Sequence, residues 1–358
     1  MSAFALYRLP YEDHFTIVEQ TDGEPVNLSS CVELNGRSGF VVAPFHLTEK
    51  EPLLLIRADR VETVAVGDGV RGMEVIGLMG LKGGIRFRDF RNDYHIDFAN
   101  YHAHLLSGDF KKIVLARSAT IAAPPRNVFD LFRDACQRYP RMFIGLVSTP
   151  KCGTWLTATP EILLSNNGSL WQTMALAGTM KLEGDDLNGE GENVMWSTKN
   201  IQEQRYVATY ITECLEQFTS DFNEYGPYTT RAGNLVHLRS DFTFSLPDDE
   251  HLGDVLRTLH PTPAVCGLPK RQTFDFILHN EHSPRRYYSG FMGPILLSSS
   301  TLHLPPTTHL YVSLRCMEIF ADGYQLYAGG GLLNDSIEEQ EWQETEAKME
   351  TMRNLLYI

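Results

Sequence analysis

Residues 142–165, MFIGLVSTPKCGTWLTATPEILLS, hold three short apolar runs in succession: MFIGLVS, TWLTAT and EILLS. Short segments without a helical pattern separate each run from the next. Several of the runs alternate with a period of two, which is typical of strands with one buried face. Because consecutive strands with short connections pair antiparallel, the stretch argues against a doubly wound parallel sheet.

The rest of the chain repeats this pattern and predicts a large α+β domain with mainly antiparallel sheets. Further strand-like runs are FTIVEQ, GFVVAPF, LLLIR, KIVLARSATI, FTFSL, YVSLRCMEIF and YQLYAGG. Helical patterns cover residues 97–106, 128–139, 194–218, 252–259, 274–279 and 336–356. The first part of the chain carries strands and turns but few polar side chains suited to chemistry, which predicts a scaffold role for it.

Composition and charge exclude several classes of protein. The chain has 358 residues, a net charge of −14 and no basic run, which argues against a nucleic-acid binder. The start, MSAFALYRLPYEDHF, turns polar too soon for a signal peptide, and no apolar run approaches the ~18–20 residues of a membrane span. The six cysteines are scattered without a CxxC pair, which predicts reduced core thiols in a cytoplasmic protein.

Two helical patterns place glutamate on the face that should be apolar. In the closing pattern, at about 100° per residue, Glu341 and Lys348 fall within the apolar arc, and Glu344 lies at its edge. In the third pattern, Glu203 falls in the middle of the apolar face. A charge on a core-facing stripe is costly unless it is paired or binds a metal.

These inward glutamates have two explanations. One is structural: an i,i+4 Glu–Lys pair, a frayed helix edge or a hydrogen-bonded core carboxylate. The other is a divalent cation shared by the two helices. Oxygen ligands without a Cys or His cluster favour Mg²⁺. The residue pattern alone leaves both explanations open.

Four other polar residues lie in apolar surroundings. Lys112 begins the run KIVLARS, where a solvated strand end is the alternative to a functional role. Glu161 follows Thr-Pro and could be a strand-edge carboxylate. His237 could be a core histidine. Arg315, inside the run YVSLRCMEIF, would require an anion if it is buried.

Three further segments could approach a ligand. ALAGT at 175–179 and YAGGG at 327–331 indicate glycine turns after strands, where bare backbone is accessible. HPTPA at 260–264 is rigid and poor in donors, and it could be only a structural turn. Residues 182–193, LEGDDLNGEGEN, could form a solvated loop or a flap beside a pocket.

Taken in order, these segments resemble the chorismate-utilising enzymes, which include isochorismate, salicylate, anthranilate and aminodeoxychorismate synthases. The motifs that carry the resemblance are KIVLAR, TPEILL, ALAGT, KNIQE, LVHL, LHPTPAVCG, YYSGFMG, SLRC, LYAGGG and EWQETEAK. The resemblance implies one domain, 1–358, of two packed antiparallel sheets flanked by helices around a chorismate pocket. Residues 1–85 would be a shortened scaffold part and residues 86–358 the catalytic part.

Within the family, Lys112 and LHPTPA are most similar to isochorismate synthase. Family members that add ammonia usually carry an amide where Lys112 stands. The implied reaction is Mg²⁺-dependent conversion of chorismate to isochorismate for menaquinone or siderophore synthesis. The implied enzyme is a monomer or weak homodimer without a glutaminase subunit, and it binds neither nucleic acid nor membrane. A salicylate synthase or a catalytically silent chorismate-binding relative are the alternatives.

The resemblance also implies catalytic roles by position. Lys112 resembles the general base that activates water for attack on ring C2. Glu161 resembles the general acid that protonates the departing C4 hydroxyl, and His237 would lie near that hydroxyl. A carboxyl acid needs a raised pKa, which burial and a dianionic substrate would provide.

The implied binding roles follow the same positions. Glu203 and Glu344 resemble Mg²⁺ ligands, and Glu341 would hold metal-bound water. The residues that would contact the two substrate carboxylates or the ring are Gly178, Thr179, Thr262, Ala264, Tyr288, Arg315, Gly329 and Lys348. Two features depart from the family: GTMKLEGDD replaces a basic run after the Gly-Thr, and Gln204 stands where His is frequent.

Overall fold

A computed structural model of the chain describes residues 3–68, 90–166, 168, 170–182, 194–246, 251–298 and 305–356. The strands are β1 (Ala3–Arg8), β2 (His14–Gln20), β3 (Val26–Leu28), β4 (Gly39–Ala43), β5 (Leu53–Ile56), β6 (Arg60–Ala65), β7 (Lys112–Ala122), β8 (Phe143–Thr149), β9 (Gly153–Thr159), β10 (Ile162–Asn166), β11 (Trp171–Lys181), β12 (Phe222–Ala232), β13 (Leu235–Phe244), β14 (Gly267–Leu268), β15 (Phe291–Ile295), β16 (Thr308–Val312), β17 (Cys316–Phe320) and β18 (Gly323–Leu332). The helices are α1 (Phe90–Leu106), α2 (Val128–Arg138), α3 (Thr198–Leu215), α4 (Leu252–Leu259), α5 (Lys270–Asn280) and α6 (Glu338–Leu356), with a 3₁₀ helix at Cys31–Leu34.

In this described part, the strands form two nine-stranded antiparallel sheets. Sheet A has the order β14-β7-β18-β17-β9-β8-β1-β2-β6, and sheet B has the order β12-β13-β11-β10-β16-β15-β4-β5-β3. The prediction of an α+β fold with two mainly antiparallel sheets flanked by helices is confirmed.

Two of the places where the chain crosses between the sheets are adjacent to each other. β8 pairs with β9 in sheet A, whereas β10 pairs with β16 in sheet B, so the chain changes sheet at Glu161. It returns between β16 and β17, at Arg315. The crossings contact each other, because Val312 N donates to Glu161 O at 3.0 Å and Ala158 N donates to Arg315 O at 3.2 Å. Both polar residues therefore lie where the sheets exchange strands.

The sheets pack on each other through aromatic side chains. Phe143 of β8 stacks on Tyr311 of β16 with ring centroids 4.4 Å apart. Truncating a buried ring such as Phe143 to alanine costs about 3–5 kcal/mol. Val207 and Ile211 of α3 pack in the core of sheet B, and Met349 of α6 packs in the core of sheet A. Helices α3 and α6 thereby carry their inward glutamates toward the junction of the sheets.

Several local predictions were wrong. Arg315 lies in the break between β16 and β17, with φ 45°, and not inside one continuous strand. The glycine motifs are within strands: Gly178, with φ 69°, forms a bulge in β11, and Gly329–Gly331 pair with β7. A bulge or a close backbone approach explains glycine inside a strand. Helix α1 begins at Phe90, well before residue 97.

Other predictions have separate outcomes. All six cysteines are buried and unpaired. Among the described residues, no helix has the length and apolar character needed to cross a membrane. Residues 183–193 of the acid-rich segment lie outside the described residues, as does the boundary near residue 85. The division into 1–85 and 86–358 stays a prediction.

Candidate active site

A cavity opens beside the two chain crossings. The predicted site residues that line it are Glu161, Gly178, Thr179, Glu203, His237, Ala264, Tyr288, Arg315, Gly329 and Lys348. Lys112, Glu341 and Glu344 reach its edge through contacts with these residues or with the adjacent glycines of β18. Thr262 is buried but does not line the cavity. The structure thus brings together residues from distant segments, while their roles stay predictions.

The glycines of β18 allow three carboxylates to approach the strand. A Cβ at Gly331 would collide with Glu203 Oε1, and a Cβ at Gly330 would lie 3.3 Å from Glu341 Oε2 and 3.8 Å from Glu344 Oε1. Glu203 Oε2 also accepts a hydrogen bond of 3.1 Å from the backbone N of Gly178. Glycine is required at Gly331 because a side chain would occupy the position of Glu203.

Each of these carboxylates has its own lysine. Lys112 Nζ lies 3.0 Å from Glu203 Oε1, and Lys348 Nζ lies 2.7 Å from Glu344 Oε1. Glu341 pairs with Lys199 of α3. The structural explanation of the inward glutamates is therefore correct for Lys348 and Glu344, which are an i,i+4 pair. It does not exclude a cation, which would have to compete with these ammonium groups.

The three pairs differ in their electrostatics. Burial acts to raise the pKa of Glu203, but Lys112 and Lys199 hold it below its usual value. Burial and the neighbouring Glu344 raise the pKa of Glu341 to about 7 despite Lys199. Oε2 of Glu341 is buried and has no hydrogen-bond partner among the described residues.

Glu161 is buried at the cavity. The residue is only 3% exposed, and burial raises its pKa to about 8 against the opposing effects of Lys112, Lys348 and Arg315. At neutral pH the group is therefore mostly protonated, which is the state that the predicted general acid needs.

His237 is neutral and accepts a hydrogen bond from the charged Arg315. His237 Nδ1 donates to Gly178 O at 3.1 Å, since a carbonyl can only accept, and Arg315 Nη2 donates to Nε2 at 2.5 Å. Burial, Arg315 and Lys348 place the pKa of His237 well below its usual value. In this arrangement His237 orients the guanidinium, and both of its ring nitrogens are engaged.

Arg315 faces the cavity without a carboxylate partner in the described part of the chain. Its Nη1 donates to Ala232 O at 2.9 Å, and burial lowers its pKa to about 10. A buried guanidinium without a counter-ion favours an anionic ligand.

The cavity is small, with a volume of about 60 Å³, and Glu203 and Lys348 of the ion pairs line it. A larger cavity of about 360 Å³ lies between α2, the β12–β13 turn and α6, but none of the predicted site residues lines it. Among the described residues, no three carboxylate, imidazole or thiolate groups are arranged as a ready metal site. A cation that binds these glutamates, or an anion too large for this cavity, would have to separate the Lys–Glu pairs.

A family model described as chorismate binding enzyme matches residues 91–357. The chain belongs to the chorismate binding enzyme family. Isochorismate synthase MenF of Escherichia coli (strain K12) is 30% identical over 257 residues, covering 71% of this chain and 58% of that protein. Isochorismate synthase DhbC of Bacillus subtilis (strain 168) is 30% identical over 262 residues, covering 70% and 64%. The chain therefore matches less than two thirds of the length of these curated relatives.

Solved structures agree with the fold of this chorismate binding enzyme. Menaquinone-specific isochorismate synthase MenF from Escherichia coli superposes with a TM-score of 0.78 at 22% identity, covering 99% of this chain and 89% of that one. Anthranilate synthase component I from Streptococcus pneumoniae TIGR4 gives 0.70 at 16% identity, covering 98% and 92%. At such identities the likeness concerns the fold.

Sequence reasoning missed three residues of this chorismate binding enzyme. Lys199 lies one helical turn before Glu203 in KNIQE, so the i,i+4 spacing could have placed it on the same inward face. Glu281 and Arg285 form a buried ion pair next to the site. Their i,i+4 spacing was also visible, but nothing in their local pattern distinguished them from a surface pair.

Proposed function

We propose that this chorismate binding enzyme is an isochorismate synthase. The observation that carries the proposal is the presence of Lys112 and a largely protonated Glu161 at one cavity, because replacing one hydroxyl by another needs a base and an acid together. The names of the relatives, isochorismate synthases from two bacteria, support the same activity.

The proposed reaction adds one water and removes one. Lys112, the proposed base, takes a proton from the water whose oxygen bonds to ring C2. The two ring double bonds shift, the C4–O bond breaks, and Glu161 gives its proton to the departing hydroxyl. The product has the same atoms as chorismate, which makes the enzyme an isomerase. The proton on Lys112 is then returned to Glu161 through solvent.

The anionic groups of chorismate have two cationic partners in the cavity. Arg315 would hold the carboxylate of the enolpyruvyl arm together with Tyr288, whose hydroxyl lies against Gly329. Lys348 would turn from Glu344 to the ring carboxylate, near the bulge at Gly178. Separating these pairs would also enlarge a cavity that is otherwise too small for the ring.

Mg²⁺ is the proposed cofactor, and the residues present fit it. Glu203 and Glu344 come from two helices to one strand, and Glu341 presents a buried oxygen without a hydrogen bond among the described residues. Mg²⁺ commonly uses one or two carboxylates, several waters and substrate oxygens, so a closed set of protein ligands is not needed. When bound, it would supply positive charge to the ring carboxylate.

The proposed nucleophile is water, so no glutaminase subunit is required.

A product analysis tests the proposed function. Purified protein is incubated with chorismate and Mg²⁺, and the products are separated by chromatography and identified by mass spectrometry. Isochorismate has the mass of chorismate but a different retention time. Salicylate, which has lost pyruvate, would instead identify a salicylate synthase. Thermal stabilisation by chorismate and Mg²⁺ without turnover would identify a silent binding protein.

Lys112→Ala is the matching variant. It should abolish turnover and keep Mg²⁺-dependent binding of chorismate, because the amine takes the proton and the other contacts hold the substrate. Retained turnover would show that another group is the base.

A further inference from the structure

The outer edge of β7 is completed by two side chains. β14 pairs with β7 only at Lys112 and Ile113, and Val114 N then donates to Cys266 O at 2.7 Å. Beyond this point, the side chains of Glu281 and Arg285 hydrogen-bond to the backbone of β7, as a neighbouring strand would. Arg285 Nη2 donates to Val114 O at 2.8 Å, and Ala116 N donates to Glu281 Oε1 at 2.8 Å.

The two side chains form one rigid unit, the Glu281–Arg285 clamp. Arg285 Nε lies 2.6 Å from Glu281 Oε2 and Nη2 lies 2.7 Å from Oε1, so the pair is bidentate. Both side chains are 3% exposed. The remaining Nη1 donates to Val265 O at 2.6 Å. One guanidinium therefore joins β7, the end of α5 and the segment that precedes β14.

The clamp contacts the backbone of two residues that line the active-site cavity, Val114 and Val265. Val114 follows Lys112 by two residues on the same strand, and Val265 follows the cavity residue Ala264. The clamp therefore joins the strand of Lys112, the proposed base, to residues 264–265, which form the side of the cavity called the 264–265 wall below.

We propose that Glu281 and Arg285 are positioning residues, which hold the Lys112 strand and the 264–265 wall at the separation that water attack on the ring requires. The kinetic part of this proposal depends on the proposed function. Misplacing reacting groups by about 1 Å can cost ~10²-fold in rate without a comparable loss of binding. Loosening the clamp should therefore lower kcat and leave KM nearly unchanged.

A neighbouring ion pair provides a matched control. Arg286, the next residue, pairs with Glu318, whose side chain is 2% exposed, so the two glutamates are similarly buried, although Arg286 itself is 24% exposed and also pairs with Glu51. Neither residue lines the cavity. Glu318→Gln should lower thermal stability as Glu281→Gln does, without the loss of kcat.

The test compares Glu281→Gln and Arg285→Lys with Glu318→Gln. We expect kcat to fall about tenfold or more in the clamp variants with KM within about threefold of wild type, and kcat of Glu318→Gln within about twofold. Glu281→Gln is the milder change, since its amide oxygen can still accept from Ala116 N. Unchanged kcat in both clamp variants, or an equal loss in Glu318→Gln, would overturn the positioning role.

Hydrogen exchange separates this proposal from the proposed function. Peptides covering residues 110–118 and 260–268 should exchange faster in the clamp variants than in Glu318→Gln, because the clamp protects that edge. Faster exchange together with a wild-type protein inactive on chorismate would refute the proposed function and leave the clamp in place. An active wild type with unchanged exchange in the clamp variants would refute the clamp alone.

Discussion

Replacing Glu161 by glutamine should remove a specific part of the pH dependence of folding. The pKa of Glu161 is raised to about 8 by burial, against an ordinary value of 4.5. Between these values the folded protein holds a proton that the unfolded chain has lost, so stability falls as pH rises. At ~1.4 kcal/mol per pH unit, and flattening above the folded pKa, this carboxyl contributes a loss of about 2–3 kcal/mol between pH 6 and pH 9.

The assay is urea unfolding of wild type and Glu161→Gln, without metal, at several pH values from 6 to 9. Other titrating groups, such as Glu341, contribute equally to both proteins and cancel in the difference. The difference in unfolding free energy, wild type minus variant, should fall by about 2–3 kcal/mol over this range. A difference that is constant with pH would refute the assignment of the proton to Glu161.

The same proton should govern catalysis. As the proposed acid, Glu161 must be protonated, so turnover of wild type should decline as pH rises through about 8. Glu161→Gln should lower kcat by about 10²–10⁴-fold, which is the usual contribution of a general acid. A variant with wild-type kcat would show that the leaving hydroxyl takes its proton elsewhere.

Two further predictions concern the carboxylates at β18. Glu203→Gln and Glu344→Gln should each raise the Mg²⁺ concentration for half-maximal activity about tenfold or more. Glu350→Gln, at an exposed position of the same helix as Glu344, should not. If Glu203→Gln and Glu344→Gln both need the same Mg²⁺ concentration as wild type, the metal assignment is refuted. Gly331→Ala should lower kcat about tenfold or more, because the new Cβ would displace Glu203. Gly67→Ala should leave kcat unchanged, because the space around Gly67 is open. Full activity of Gly331→Ala would show that Glu203 can move without loss of turnover.

The strand pattern predicted most elements but not the exchange of strands between sheets. MFIGLVS, TWLTAT and EILLS were each identified as strands, and each is one. Period-two alternation reports that a strand has a buried face, but it does not report which sheet supplies the partner. The change of sheet at Glu161 is a long-range property, and the same limit explains why the pattern predicts YVSLRCMEIF as one strand.

The helical wheel predicted which side chains are buried, but it did not predict their ion-pair partners. It placed Glu341 inward, and the residue is 2% exposed. Glu346 falls outside the apolar arc of the same wheel, yet it is half-buried and pairs with Arg117 of β7 and with Arg353. The angular position of a residue is local, but a partner on a distant strand is not visible in a wheel. The spacing of Lys199 from Glu203 indicates its inward position, but its partner Glu341 lies on another helix, which no wheel shows.

The charges of the site account for how a protein of net charge −14 could hold a dianion. Lys112, Lys199 and Lys348 neutralise three glutamates one to one, so the closed site has little net affinity for either sign of charge beyond Arg315. Under the proposed function, Mg²⁺ alone would meet three ammonium groups, and chorismate alone would meet three carboxylates. Entering together, the two add no net charge and exchange the Lys348–Glu344 pair for a metal–carboxylate and a lysine–substrate contact. Because coupling between two ligands is reciprocal, each should then raise the affinity for the other by the same factor.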